Sequence, residues 1–321
     1  MPALTLGLLH RPPTTDHRSP ITDHRPKGSI EHMSSPVTVQ VSFRDMRNDD
    51  IETGLRLCRA SGWNQTRSDW ELFLKFSPQG CRVAVKDARV IGTVATLRYQ
   101  DRFSWISMML VDPAEAGQGI GGLLMSQALD VLKDMPSIRL DATPVGYKLY
   151  SKLNFIEEYR LSRMETLVSS EGLMIRPNPA RSMTKEDLPA VETLDREVFG
   201  ADRRVMLEWM FTSAPEYATV IEQQGQIIGY TFGRHGFNFE HLGPVIARDQ
   251  ETARLLVSSC LFGQTGKPFI IDASHHETDW SAWLESIGFH EQRPFTRMFY
   301  RDNPHPGLPA KQFGIMGPEF G

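Results

Sequence analysis

The stretch Met109-Leu-Val-Asp-Pro-Ala-Glu-Ala-Gly-Gln-Gly-Ile-Gly-Gly-Leu-Leu-Met125 decides how this chain is read. An apolar run ends at Val111, a polar loop crowded with glycines follows, and a helical pattern takes over after Gly119. Glycines permit a left-handed backbone, so such a loop brings several N–H groups and the positive end of a helix to bear on one anion. It reads as a cradle for a diphosphate.

Several explanations compete for Gly117, Gly119, Gly121 and Gly122. A Walker loop is excluded, because no Gly-Lys-Ser/Thr follows to hold a terminal phosphate and its Mg²⁺. The dinucleotide pattern G-x-G-x-x-G is met by Gly117, Gly119 and Gly122, with Asp141 about where a ribose-binding acid belongs. Against it, residues 112–116 separate Val111 from the first glycine, antiparallel strands precede the loop, and no second βαβ half follows. A merely structural need for positive φ in a tight turn also stays open.

Working outward, helical periodicity marks 51–60 and 69–76, and alternation marks strands at 81–85 and 90–99, joined by a turn at 86–89. A third strand covers 105–111, a helix 119–134, a strand 137–142, a helix 146–153 and a strand-like run 155–166. The order then restarts. Asp50-Ile51 is echoed by Asp187-Leu188, Ile91-Gly92 by Ile228-Gly229, Asn154-Phe155 by Gly288-Phe289 and Arg163-Met164 by Arg297-Met298, each about 135 residues on. The expectation is an α+β chain of two copies of one domain, at 37–168 and 169–321, each a mixed, mostly antiparallel twisted sheet flanked by helices.

A hydrophobic content of 40%, a charged content of 23% and a formal net charge of −4 suit a globular protein with no nucleic-acid footprint, since Lys and Arg are scattered. Cys58, Cys81 and Cys260 lie far apart, which suggests neither a metal site nor disulfides and fits a reducing, cytoplasmic setting. No apolar run approaches the roughly 18 residues of a membrane helix, so no membrane partner is expected. Residues 1–36 are rich in Pro, His and Arg, and Thr-Asp-His-Arg occurs there twice. We read this segment as a disordered tail whose His10, His17, His24 and His32 are solvated rather than metal-binding, and a native start at Met33 is compatible with it.

The pattern Val111-x-Pro113-x-x-Ala116-Gly-Gln-Gly-Ile-Gly121-x-x-Leu124, with Tyr150-x-x-x-Asn154-Phe155 downstream, resembles the GNAT superfamily of acyl-CoA-dependent N-acyltransferases over residues 41–166. The resemblance implies that the amides of Gly117, Gln118, Gly119, Ile120, Gly121 and Gly122 hold the diphosphate of coenzyme A. It further implies that backbone groups of Met109, Leu110 and Val111 meet the pantetheine, and that Tyr150 protonates the leaving thiolate. Ala116 stands where Arg or Gln is usual, and Asn154 where Gly is usual. An amine acceptor must lose a proton before attack, and Asp141 is the candidate base beside its alternative role as a turn cap. Trp63, Asn64, Trp70 and Trp105 are expected to wall the acceptor pocket, with His235, His241, Asp272, His275, His276 and Trp280 contributing from the second copy.

That second copy departs from the pattern. Its strand-to-helix join, at 241–252, has no glycine cluster and carries Asp249 and Glu251, which oppose a diphosphate; Leu284 occupies the place of Tyr150. It resembles the degenerate second domain of tandem GNAT proteins, with a structural or substrate-shaping role. The implied activity is direct transfer of an acetyl group from acetyl-CoA to a primary amine, on a small molecule or a peptide, without a metal. An acyl-CoA-binding regulatory protein is the rival, and the oligomeric state stays open.

Overall fold

The computed structural model describes residues 40–169, 179–276, 278–303 and 307–321, so the expected tail and its four histidines lie outside the described residues. One series of elements runs β1 (Ser42–Asp45), α1 (Ile51–Ala60), α2 (Arg67–Phe76), β2 (Arg82–Lys86), β3 (Arg89–Tyr99), β4 (Phe103–Val111), α3 (Ile120–Val131), β5 (Ser137–Ala142), α4 (Pro144–Lys152) and β6 (Ile156–Leu167). A second repeats it: β7 (Arg181–Ser182), α5 (Leu188–Phe199), α6 (Arg204–Ser213), β8 (Thr219–Gln223), β9 (Gln226–Arg234), β10 (Glu240–Ala247), α7 (Gln250–Leu261), β11 (Pro268–Ser274), α8 (Thr278–Ser286) and β12 (His290–Arg301). A short strand, β13 (Gln312–Gly314), has no counterpart in the first series.

The repeat extends to single hydrogen bonds. Arg44 grips Asp50 with both terminal nitrogens at 2.6 and 2.9 Å, while Asp50 accepts the Arg47 N–H at 2.8 Å. Arg181 grips Asp187 at 2.7 and 2.9 Å, and Asp187 accepts the Thr184 N–H at 2.8 Å. In each copy an acid thus satisfies an orphan donor at the entry to the first helix and is itself held by the preceding strand.

All the strands join one sheet in the order β1-β2-β3-β4-β5-β12-β6-β11-β13-β10-β9-β8-β7. The closing strands of the two series have changed places. β12, from the second series, lies antiparallel to β5, with Arg297 opposite Asp141; β6, from the first, lies antiparallel to β11, with Arg163 opposite Asp272. The exchange is registered by two buried, bidentate ion pairs, Arg297 to Asp141 at 2.9 Å on both arms and Arg163 to Asp272 at 2.8 Å on both. Burial alone would raise the Asp272 carboxyl, yet Arg163 and His241 beside it hold it far below the usual range. The repeated Arg-Met pairs of the sequence are therefore the fasteners of an exchange, each serving the other copy's aspartate.

The apolar packing also ignores the boundary between copies. One core gathers Leu57, Trp70 and Phe73 of α1 and α2 with Val191, Phe199 and Leu207 of α5 and α6. A separate core places Ile120, Leu124 and Met125 of α3 on the other face, against Ile91, Ile106 and Leu140. Phe320 belongs to the shared core and stacks on Phe73 at 5.1 Å. Around it Trp105 Nε1 donates to the Pro318 carbonyl at 2.8 Å, Arg203 to the Gly321 carbonyl at 3.0 Å, and the Tyr99 hydroxyl to the Phe320 carbonyl. Among the described residues no helix is long and apolar enough to cross a membrane.

Candidate active site

β4 and β5 run parallel but pair only at Ser104 with Ile138 and Trp105 with Arg139; beyond that point they part. A bulge in β4 accompanies the separation. Its register with β3 slips between the pairs Ala95–Ser107 and Thr93–Leu110, Met108 takes a φ of 52°, and the Thr93 hydroxyl donates to the Met108 carbonyl at 2.7 Å. The Asp112 N–H points to Ile91 on β3, at 2.8 Å, so by strand alternation the N–H of Val111 faces the gap. The gap thus exposes a strand edge that an extended ligand bearing amides can pair with.

The glycine loop continues directly from this edge. Gly117 and Gly119 both have φ of 78°, and Gly119 caps the start of α3. Neither N–H of these two, nor that of Gln118, has an acceptor among the described residues, and the first-turn N–H groups of a helix have no intrahelical partner. A β-carbon at Gly117, Gly119 or Gly122 would meet nothing within 4 Å. Gln118 is drawn aside, its Nε2 donating to Glu115 at 2.8 Å, and Glu115 also accepts from Lys86 at 2.7 Å. Open donors at a helix start with no side chain over them fit a diphosphate, and Ala116 adds no side-chain donor.

On the β5 side, α4 is capped by Thr143, whose hydroxyl accepts the Gly146 N–H at 3.2 Å, with Pro144 in its first turn. A β-carbon at Gly146 would lie 2.8 Å from the Tyr150 ring, so this glycine lets the ring fold back along the helix, a role sequence reading missed. Tyr150 is buried, its hydroxyl has no hydrogen-bond partner among the described residues, and burial pushes its pKa up to about 12. Asn154 takes a φ of 64° just after this helix, where Gly288, at 99°, ends the equivalent one.

A cavity of about 270 Å³ fills the gap, lined by Met108 and Met109 of β4, Leu140 and Asp141 of β5, and Leu149 and Tyr150 of α4. Its remaining wall comes from Trp63, Arg163, Arg293, Phe295, Pro318 and Glu319 among others. Of the expected acceptor residues, Trp63 alone lines it. Asn64 instead bridges to the second copy, donating to the Phe239 carbonyl at 2.9 Å and accepting the N–H groups of Asn238 and Phe239. Trp70 is fully buried in the shared core, and Trp105 is tied to Pro318. Asp141 does reach the cavity, but both its oxygens are occupied by Arg297; burial raises its carboxyl while Arg297 opposes the shift.

None of the second-copy residues expected in the acceptor cleft lines the cavity. His241 and Asp272 lie 2.9 Å apart in a buried polar network, Trp280 packs in the second core, and His235 is exposed beside Glu240. Arg293 and Glu319 are the residues that sequence reasoning missed. The first arrives through the strand exchange and the second through the segment after β13, so no local signal placed either near Tyr150. Arg234 contacts Glu319 Oε1 and holds Asp69 at 2.6 Å; Glu319 Oε2 has no hydrogen-bond partner among the described residues.

The second copy has lost all three features. Asp249 caps α7, accepting the Thr252 N–H at 2.9 Å, so its own carboxylate occupies the helix start. Leu284 is buried where Tyr150 stands in the first copy. The gap that corresponds to the one beside β4 is filled: β10 and β11 pair through Leu242 and Ile271, and then β13 inserts between them, with Gly314 opposite both Val245 and Ala273.

Comparison with known proteins finds a matching domain in each half of the chain. Residues 47–155 match the model of the Acetyltransferase (GNAT) family, and residues 191–314 match the model of an Acetyltransferase (GNAT) domain. The uncharacterized N-acetyltransferase YitH of Bacillus subtilis (strain 168) is 23% identical over 270 residues, covering 80% of this chain and 90% of that protein. Among solved structures, a putative acetyltransferase from Pyrococcus horikoshii superposes with a TM-score of 0.73 at 22% identity, over 91% of this chain and 99% of that one. A tandem GNAT protein from the clavulanic acid biosynthesis pathway superposes with a TM-score of 0.61 at 14% identity, over 83% of this chain and 99% of that one.

Proposed function

We propose, from the premise that this chain is a tandem GNAT acetyltransferase, that its first copy carries an acetyl group from acetyl-CoA directly to a primary amine held in the cavity between β4 and α4. The reading rests on one observation. The open loop, the unpaired edge of β4 and Tyr150 belong to one continuous site in the first copy, and each is filled or replaced in the second.

Bound acetyl-CoA supplies a thioester carbonyl open to attack by a neutral amine. The amides of residues 117–122 hold the diphosphate, and the edge at Val111 pairs with the pantetheine. With a pKa near 12 the Tyr150 phenol keeps its proton at neutral pH, so it serves as donor at the departing sulfur. An alkyl ammonium with pKa near ~10 must first lose a proton. Asp141 is committed to Arg297, and Glu319 is the cavity-lining acid with an oxygen to spare. Burial works against its charge, but Arg234 keeps the Glu319 carboxyl below its ordinary range, so it enters the cycle ionised. It takes the amine proton directly or through water.

The test is release of free thiol from acetyl-CoA by the full-length chain, with a panel of amino acids, polyamines and peptides. Amine-dependent turnover is expected. Tight acetyl-CoA binding without turnover on any amine leaves the regulatory reading instead. The loop is probed by Gly119→Val, because a β-branched residue at φ of 78° costs about 1–3 kcal/mol. Calorimetry should show acetyl-CoA affinity falling at least about tenfold, and an unchanged Kd removes the loop from the binding site.

A further inference from the structure

Two arginines line the cavity, and they differ. Arg163 is neutralised by Asp272, at 2.8 Å on both arms. Arg293, on β12, sits opposite Arg163 across the exchanged strands, next to a bulge that resets the register after Glu291. It forms no ion pair and no hydrogen bond with any described residue, and its Nε is buried without a partner. Like charges set opposite each other weaken a sheet, and a buried guanidinium nitrogen without a partner adds to the cost. Burial is indeed the largest influence on this group, lowering its pKa to about 10. Arg234 and Arg297, by contrast, each have a carboxylate in contact.

We infer that Arg293 binds an oxyanion on the acceptor, so that the substrate is an amine that also bears a carboxylate or a phosphate group. The inference rests on the acetyl-transfer reading above. The anion is not the cofactor's diphosphate, because none of residues 117–122 lines this cavity. A guanidinium offers two parallel donors to a planar carboxylate, and Glu319 on the same wall faces the opposite charge of an amine. The wall therefore carries one site of each sign, a pattern that suits a zwitterionic acceptor and repels a polyamine.

The experiment compares Arg293→Gln and Arg293→Lys with the parent full-length chain on matched acceptors: amino acids, their decarboxylated amines, and aminoalkyl phosphates. The parent should prefer one anionic set over the plain amines. Arg293→Gln should raise KM for that set about 10- to 100-fold with kcat within about threefold, raise no KM for plain amines, and melt no lower than the parent. Arg293→Lys should recover part of the loss. Which anionic set responds separates carboxylate from phosphate. Equal effects on charged and plain amines, or a drop in melting temperature with no change in selectivity, overturn the inference. Equilibrium binding of the same acceptors gives a readout without turnover. Anion-dependent binding lost in Arg293→Gln supports the assignment even if acetyl transfer fails, whereas turnover with no anion preference overturns this assignment alone.

Discussion

Tyr150→Phe is expected to lower kcat by about 10²- to 10⁴-fold while leaving the affinity for acetyl-CoA within about twofold. The variant removes one hydroxyl from a ring already seated against Gly146 and Phe155, so the fold of α4 is preserved. That hydroxyl has no structural partner among the described residues, and its loss leaves no orphaned group behind. What disappears, on the proposed mechanism, is the proton donor at the departing thiolate. With the phenol pushed up to about 12, the parent should also show no fall in kcat from tyrosine ionisation until pH approaches that value. Single-turnover kinetics with acetyl-CoA and a productive amine give the comparison. A Phe variant as fast as the parent assigns Tyr150 to packing and returns the acid role to solvent.

Ending the chain at Lys311 is expected to abolish cooperative folding. The removed segment buries Phe313, Ile315, Met316 and Phe320, all at most 4% exposed. Each contributes about 1.5–3 kcal/mol by burial, and the sum is comparable to the roughly 5–15 kcal/mol that separates a folded domain from its unfolded state. Truncation also strips the partners of Trp105, Tyr99 and Arg203 and reopens the gap between β10 and β11. The milder Phe320→Ala should cost about 3–5 kcal/mol, because its stack on Phe73 leaves a cavity in the core shared by both copies. Thermal and urea unfolding followed by circular dichroism provide the readout. A truncated chain that melts within a few degrees of the parent would show that the segment merely rests on the surface.

Much of this architecture was legible in the chain. The helix-opening acids at Asp50 and Asp187, the alternating strands and the 135-residue echo are local signals, and local signals survive translation into structure. The partner of each closing strand was not. β6 and β12 share the Arg-Met pair, and β5 and β11 each carry an aspartate to receive it, so either arginine satisfies either acid. Periodicity determines which face of a strand is buried, but not which of two equivalent neighbours it joins.

The site divides in the same way. The glycine loop, the β4 edge and Tyr150 lie within about 40 residues, so one stretch of chain carries the whole pattern. Trp70 and Trp105 misled because aromatic residues near a loop serve a core as readily as a pocket. Asp141 lines the cavity, but it belongs to an ion pair whose other half is 156 residues away, which its place at a strand end does not announce. Arg293 and Glu319 reach the cavity only through long-range topology, and no spacing in the chain announces that.

The exchange of strands also governs timing. A chain emerging from the ribosome as far as Leu167 already holds β1 to β5, the loop and Tyr150, yet the strand that borders β5 is still unsynthesised. Its partner for Asp141 lies 156 residues further along, and the acceptor for the Tyr99 hydroxyl 221 residues further. Contacts that distant are slow to close, and domains otherwise tend to settle in order of synthesis. Here the half that is made first is finished last, by the strand and tail of the half that lacks the glycine loop.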